Sequence, residues 1–512
     1  MTPSTELRTR FRPELLDTLG VHIARLVTDS RLVKQGDTFV AYPGGQADGR
    51  QFIAQAIEQG ANAVIWDAHN FRWNATWQIP NLAVTDLRLQ AGDIAALVYA
   101  HPSEKLWIVG VTGTNGKTSC SHWIAQSFGA LGRKAALIGT LGNGFPSKLE
   151  STLNTTPDAI RVHGLLAEFV HQQAQIVAME VSSHALEQGR VSGVEFDVAL
   201  LTNLSRDHLD YHGDMKNYAA AKRKLFEWKR LKFAVLNLDD AFGSELAEQL
   251  QDAVVEVIGY GLSEQALQLA EQQGIRMVFG GSLQLNAQGC RMHVHSSWGG
   301  GQLNSALLGR FNAENLLGTL AVLLVSGVPL ADALHELEQR HPVAGRMQKL
   351  GGAGQPAVVV DYAHTPDALE KVLHTLRELT LAGGGKVICV FGCGGDRDRG
   401  KRSMMGTVAD KLADINIVTN DNPRSENPQE IIAEIVSGIR GIYYVVEDRA
   451  LAIDWAINLA QAVDTVLIAG KGHEDYQEIK GVKYPFSDIE VAQRSLHTWQ
   501  RQQHHGKPGG HA

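Results

Sequence analysis

Cysteine is scarce in this 512-residue chain: Cys120, Cys290, Cys389 and Cys393 are its only four, with no C-x-x-C pair among them. That argues against a disulfide framework and for a reduced, intracellular protein whose cysteines serve as small buried hydrophobes. Positive charge is also short. Lys and Arg number 47 against 55 Asp and Glu, a formal net charge of -8, whereas a nucleic-acid or membrane-surface binder is expected to carry a basic face. A small anionic substrate can still meet local basic clusters. Residues 1–16 lack the apolar run of a signal peptide, since charges are spread through them. The most apolar stretch, 316–334, is broken by Gly, Ser, Pro and Asp, which reads as a core helix and turn rather than a membrane span. The tail 502–512, rich in His, Gly and Lys, is expected to fray.

What is present is the composition of an α/β protein, with 44% hydrophobic and 20% charged residues and 52 glycines for strand-to-helix turns. The length exceeds a single core and suggests three domains, at about 150 residues each. Residues 1–103 read as a small α/β module, with strands at 38–42 and 63–66 and a helix at 51–58. A break at His101-Pro102-Ser103 opens a central unit, 104–340. Its apolar runs at 107–111, 135–138, 176–180, 198–202 and 234–237 alternate with helical patterns, which predicts a parallel, helix-covered sheet. Residues 283–296 alternate more like antiparallel strands. A second break at 341–346 opens the last unit, 341–512. Runs at 357–360, 387–391, 415–418, 443–446 and 465–468 there predict a Rossmann-like sheet. Ligands of such open sheets bind beyond the carboxyl ends of the strands.

The most informative motif falls at such an end. Thr112-Gly113-Thr114-Asn115-Gly116-Lys117-Thr118 follows the run 107–111 and precedes a predicted helix at 119–131. A strand–loop–helix of this kind aims the backbone N–H groups of the first helical turn, Ser119 included, at a phosphate. Lys117 adds charge, and the Thr118 hydroxyl can ligate magnesium. Val111 stands where the usual G-x-x-x-x-G-K-[ST] pattern has its first glycine. After two further strands come Glu180-Val181-Ser182-Ser183-His184 and Thr202-Asn203-Leu204-Ser205-Arg206-Asp207-His208. These put carboxylate and imidazole where a magnesium nucleotide would lie. Magnesium prefers oxygen, which suits Glu180 and Thr118, with His208 the less typical ligand. Lys222 lies in a predicted helix at 218–226, where composition alone reads as a solvated lysine.

Together TGTNGKT, EVSSHAL, TNLSRDHLDYHG and the A-K-x-x-L-F of 221–226 resemble the Mur ligases, ATP-dependent amino-acid-adding enzymes of peptidoglycan precursor synthesis. The resemblance continues through Phe311-Asn312-Ala313-Glu314-Asn315, Gly345-Arg346, Asp361-Tyr362-Ala363-His364-Thr365-Pro366 and the Gly- and Arg-rich 392–402. It implies an α/β fold of three domains: an N-terminal UDP-binding domain, a central parallel-sheet P-loop domain and a C-terminal Rossmann-like domain. It further implies that ATP is held by Gly113, Thr114, Asn115, Gly116, Lys117, Thr118 and Ser119, with Asn315 at the adenine, Arg346 at the phosphates and Asp361 at the ribose. Lys117, Glu180, His208 and Lys222 are the implied catalytic set, and Thr118, Glu180, His208 and Lys222 the implied Mg2+ set. Lys222 is there a carbamate, which requires a neutral amine that a desolvated site can provide.

The same resemblance places the UDP-sugar-peptide on Thr28, Ser30, Gly45, Gln46, Ala47, Asn154, Thr155, Thr156, Ser182, Gln188 and Arg190. Asp421-Asn422-Pro423-Arg424 resembles the signature of the member that adds meso-2,6-diaminopimelate, completed by Arg397, Gly470 and Glu474. The logic is chemical: a planar guanidinium can bind the distal carboxylate bidentately, and lysine has no such group. The implied reaction joins diaminopimelate to the D-Glu γ-carboxylate of UDP-N-acetylmuramoyl-L-alanyl-D-glutamate through an acyl phosphate, in a cytoplasmic monomer without nucleic-acid or membrane partners. A lysine-adding relative and a folylpolyglutamate synthetase are the enzymatic rivals, and Asp421 to Arg424 speaks against both. A regulator that binds nucleotide without ligation would not need Glu180, His208, Lys222 and Arg424 together.

Overall fold

Three β-sheets follow one another along the chain, one for each block of alternating apolar runs. The computed structural model describes residues 11–45, 47–381 and 383–505. Gln46, residues 1–10 of the amino-terminal stretch and 506–512 of the tail lie outside the described residues. The first sheet is four parallel strands, Leu26–Val27, Thr38–Ala41, Ala63–Asp67 and Asn81–Val84.

The second sheet has eleven strands. At its centre Trp107–Thr112 lies between Val198–Leu201 and Ile176–Glu180, parallel to both. Helices cover both faces, so apolar side chains alternate between two cores. Val109, Val111, Ala178 and Leu200 enter one, Ile108, Val177, Met179 and Leu201 the other, as expected of a parallel sheet buried on both sides. Arg276–Asn286, Gly289–Ser296 and Gly299–Ser305 end the sheet as an antiparallel meander. The apolar stretch of the sequence becomes the helices Arg310–Val325 and Leu330–Glu338, the first wholly buried from Leu316 through Leu323. Among the described residues no helix is long and apolar enough to cross a membrane. All four cysteines are free and buried.

The third sheet has six strands, with Ala357–Asp361 and Val387–Phe391 flanking Thr465–Ala469 in parallel. A separate hairpin, Tyr476–Ile479 with Val482–Pro485, stands outside it. The terminal helix Asp488–His505 corrects the expectation of a tail frayed from Gln502 onward: helix continues through His505. It is anchored earlier, where Val491, Leu496 and Trp499 pack on the sheet and the Trp499 indole donates to Ala460 O at 3.0 Å.

The first sheet is tied to the second through the helix Ala159–His171, whose Ala159 and Ile160 complete the N-terminal core. His163 of this helix is fully buried, and its Nε2–H donates to the carbonyl of Ser192 at 2.9 Å while Nδ1 has no partner. Burial pulls its pKa down to about 4. An unfolded histidine titrates near 6.5, so between about pH 6.5 and 4 the unfolded chain binds the extra proton. This contribution is complete above that window and is lost as pH falls through it, by at most about 1.4 kcal/mol per pH unit. His163→Gln retains a donor for Ser192 but cannot titrate. Denaturant unfolding of both proteins at about pH 7 and about pH 5 should show a smaller pH loss in the variant; parallel losses would clear His163 of the effect.

Candidate active site

The phosphate loop is built by its glycines. Gly113 and Gly116 have φ of 145° and 88°, and a Cβ at either would strike the Thr202 hydroxyl or the Asn315 side chain. Val111 can replace the usual first glycine because the strand runs on through Thr112, leaving Val111 fully buried within it. The helix Lys117–Ala130 then starts directly under the loop. Lys117 Nζ donates to Gly113 O and Thr114 O, both at 2.9 Å. Lys222 Nζ donates to the same Gly113 carbonyl at 2.8 Å and lies 4.5 Å from the centre of the Tyr218 ring. Two lysines thus converge on one oxygen. Burial, and then the charge of Lys117, hold the Lys222 amine well below the usual lysine range.

Glu180 ends its strand with no exposed surface. Its carboxylate accepts from Thr118 Oγ1 at 3.0 Å, Thr140 N at 2.8 Å and Thr140 Oγ1 at 3.1 Å. His208 has a left-handed backbone, φ 56°. Its Nε2 is 3.4 Å from Asp207, its ring is 4.8 Å from that of His184, and burial lowers its pKa to about 3.

The third sheet turns its carboxyl ends toward this loop. Arg346 Nη2 donates to Thr118 Oγ1 at 3.2 Å, with its guanidinium 4.2 Å from the centre of the Tyr362 ring. Asn115 Nδ2 reaches Asp367 at 3.1 Å, and Arg206 grips Asp398 at 3.1 and 3.3 Å. Asp207 faces His364 at 3.5 Å and Lys401 at 3.9 Å. Burial opposes its ionisation, yet the hydrogen bond with His364 and the charges of His208, His364 and Lys401 hold its carboxyl well below the usual range. Thr114 to Ser119, Thr155, Glu180, Ser182, His208, Asn315, Arg346 and Asp361 all line the resulting cleft. Asp361 does so with both oxygens already accepting backbone N–H, from Met347 at 2.7 Å and Ala363 at 2.8 Å.

The remaining residues singled out in the sequence fall into two other groups. Asn422 and Glu474 meet at 2.9 Å, Lys471 Nζ donates to both at 3.0 Å, and Gly470 lies against Asp421. Arg424 Nη1 donates to Gly395 O at 2.8 Å. Tyr362 links this group to the cleft, its hydroxyl 3.4 Å from Glu474. Arg397 is exposed and lines a neighbouring opening with Arg206 and Asp210. Near the first sheet, Arg190 donates to Thr156 O at 2.9 Å and to Gln188 at 2.7 and 3.0 Å. Asn154 is exposed, Ser30 donates to Gln55 at 2.9 Å, and Thr28 stands 3.5 Å from Asp158. Gly45 is exposed, and the Ala47 carbonyl closes a turn on Gly44 N.

Thr140 was not read from the sequence, and Asp207, His364 and Lys401 stood in the quoted motifs without a role of their own. Thr140 was findable, since it follows the predicted strand 135–138 at a carboxyl end. The pairing of Asp207 with His364 and Lys401 was not findable, because those residues lie far along the chain.

Among the described residues no cluster of three His, Cys, Asp or Glu side chains could hold a metal by itself. The Thr118 hydroxyl beside the Glu180 carboxylate is nevertheless an all-oxygen pair. It suits magnesium, which takes few protein ligands and fills its shell with phosphate oxygens and water.

Residues 22–99 match the family described as "Mur ligase family, catalytic domain", 111–323 the "Mur ligase middle domain" and 345–472 the "Mur ligase, glutamate ligase domain". A protein of Chromobacterium violaceum named UDP-N-acetylmuramoyl-L-alanyl-D-glutamate–2,6-diaminopimelate ligase is 53% identical over 489 residues, 95% of this chain and 97% of its own. One of the same name from Nitrosomonas europaea is 52% identical, covering 94% of this chain and 95% of its own. A solved structure of a ligase so named aligns over 93% of this chain and 95% of its own, at 36% identity and a TM-score of 0.64. This chain belongs to the Mur ligase family.

Proposed function

We propose that this chain is an ATP-dependent ligase that joins meso-2,6-diaminopimelate to the γ-carboxylate of UDP-N-acetylmuramoyl-L-alanyl-D-glutamate. The observation that carries the reading is the cleft in which the phosphate loop and Glu180 face Arg346, with the 421–424 loop one tyrosine away. The names borne by relatives about half identical over nearly the whole chain support the same substrates.

The working units are residues 1–103 for the UDP-sugar, 104–340 for ATP and 341–512 for the amino acid. The backbone N–H groups after Gly116 and the side chains of Lys117 and Arg346 hold the triphosphate. The acceptor carboxylate, placed by Thr155, Thr156, Ser182 and Arg190, attacks the γ-phosphorus, and ADP leaves. The amine of diaminopimelate then attacks the acyl carbon of the acyl phosphate, expelling phosphate and releasing a proton. Thr118 and Glu180, with His208 and Lys222, would hold Mg2+, which supplies charge neutralisation for phosphoryl transfer. The low-pKa amine of Lys222, neutral and so nucleophilic, is suited to add carbon dioxide, forming an N–C bond and losing one proton to leave a carboxylate-like group. Arg424 receives the distal carboxylate of diaminopimelate. Arg397 completes that pocket, and Glu474 answers the ammonium. The enzyme acts as a cytoplasmic monomer.

Phosphate release, measured with UDP-sugar-dipeptide and ATP present, should be faster with diaminopimelate than with lysine by about a hundredfold or more, because lysine offers Arg424 no distal carboxylate. Comparable rates would sink the assignment. Arg424→Ala should weaken diaminopimelate use by about 2 to 5 kcal/mol while sparing ATP binding; equal loss of both would point to misfolding. Lys222→Ala should abolish ligation, with partial recovery on adding a short carboxylate. A variant turning over at the wild-type rate would rule the carbamate out.

A further inference from the structure

The loop that carries Arg424 is not held by the six-stranded sheet alone. The hairpin Tyr476–Ile479 with Val482–Pro485 is docked against it from outside, with its outer strand exposed along its length. Arg424 N donates to Glu478 O at 3.1 Å and Lys480 N donates to Arg424 O at 2.7 Å, so Arg424 is paired like a strand residue with Ile479. Gln477 Nε2 donates to Asp421 O at 2.7 Å, and Glu478 N donates to Asn422 Oδ1 at 2.9 Å. The hairpin thus supports a backbone that has little reason to hold itself. Arg424 has φ 51°, a left-handed conformation that is unfavourable for a residue with a Cβ.

Its side chain is held by the same element. Arg424 Nε lies 3.3 Å from Glu478 Oε2, while Nη1 donates to the Gly395 carbonyl at 2.8 Å. A guanidinium carries five N–H donors in a rigid plane. Gly395 O takes one Nη1 donor, and the Nε edge faces the Glu478 carboxylate as an ion pair, which leaves the other Nη donors free. A planar group tethered covalently through Cδ and held at two further points along its edge has little freedom left to rotate. The remaining donors are then aimed before any substrate arrives.

We propose that Glu478 is a positioning residue that aims Arg424 at the distal carboxylate of the amino-acid substrate, making the 476–485 hairpin part of the specificity device. The inference rests on the reading of Arg424 given under the proposed function. Glu478 does not touch the substrate. Its carboxylate, like-charged with the group to be bound, acts by holding the Nε edge of Arg424 in place, so an amide of the same shape, whose oxygen can face the same Nε, should serve in its place.

Steady-state ligation by wild type, Glu478→Ala and Glu478→Gln tests this, with each of the three substrates varied in turn. In Glu478→Ala the KM for diaminopimelate should rise about tenfold or more, with kcat and the KM for ATP within about threefold of wild type. Glu478→Gln should recover most of the loss, and all three proteins should share a melting midpoint to within a few degrees. An unchanged KM for diaminopimelate in Glu478→Ala overturns the inference. So does a parallel rise in the KM for ATP, which would mean general disruption, or a glutamine variant as impaired as the alanine one. A wild type that uses lysine as well as diaminopimelate would instead overturn the underlying assignment, and this inference with it.

Discussion

The two larger sheets point the carboxyl ends of their strands at each other, and the polar groups exposed there must find partners across the gap. Backbone and side-chain donors at strand ends cannot be satisfied within their own sheet. Here they are paired across the seam instead, Arg346 with Thr118, Asn115 with Asp367, Arg206 with Asp398, and Asp207 with His364 and Lys401. The cleft follows from this constraint. A nucleotide placed in it would meet the phosphate loop from one sheet and Arg346, Asp361 and Tyr362 from the other.

Burial of charge in the cleft is a matter of arrangement more than of stability. Removing two ions from water costs several kcal/mol each, and their attraction returns that only when the geometry is good. The Lys117 and Lys222 pair is an extreme case, since both amino groups donate to the one carbonyl of Gly113. Such a site disfavours the charged form of Lys222 and leaves a neutral amine beside the phosphate loop. Glu180 is the counterpart, a fully buried carboxylate supplied with three donors by Thr118 and Thr140. Buried polar groups of this kind are costly unless every one is satisfied, so the surrounding side chains have little freedom to shift.

Much of this was legible in the chain. Strand positions in both large sheets could be read because residues buried on two faces form continuous apolar runs of four to six residues between glycine-rich turns, as at 107–111 and 465–468. The phosphate loop was legible because its glycines serve local backbone needs. Lys222 shows the limit. On its own helix it has the spacing of a solvated residue, yet it is buried, and its amine finds its partner in the Gly113 carbonyl, 109 positions away. Its role came from family resemblance, with no local signal behind it. The terminal helix shows the same limit, since Gln502 looks like the start of a polar tail and only the packing of Trp499 reveals the helix to which it belongs.

By itself the sequence determined what depends on neighbours a few residues apart: the three alternating blocks, the strand-to-helix turn that can grip phosphate, and the family to which such motifs belong. The tertiary structure decided what depends on distance in space. It set the burial of Lys222, placed Asp207 between two domains, and gave Arg424 a hairpin to hold its strained backbone and its guanidinium. The reason is physical. Helix, strand and turn preferences are local energies read from adjacent residues, whereas desolvation and the orientation of a charged side chain are set by groups that only folding brings together.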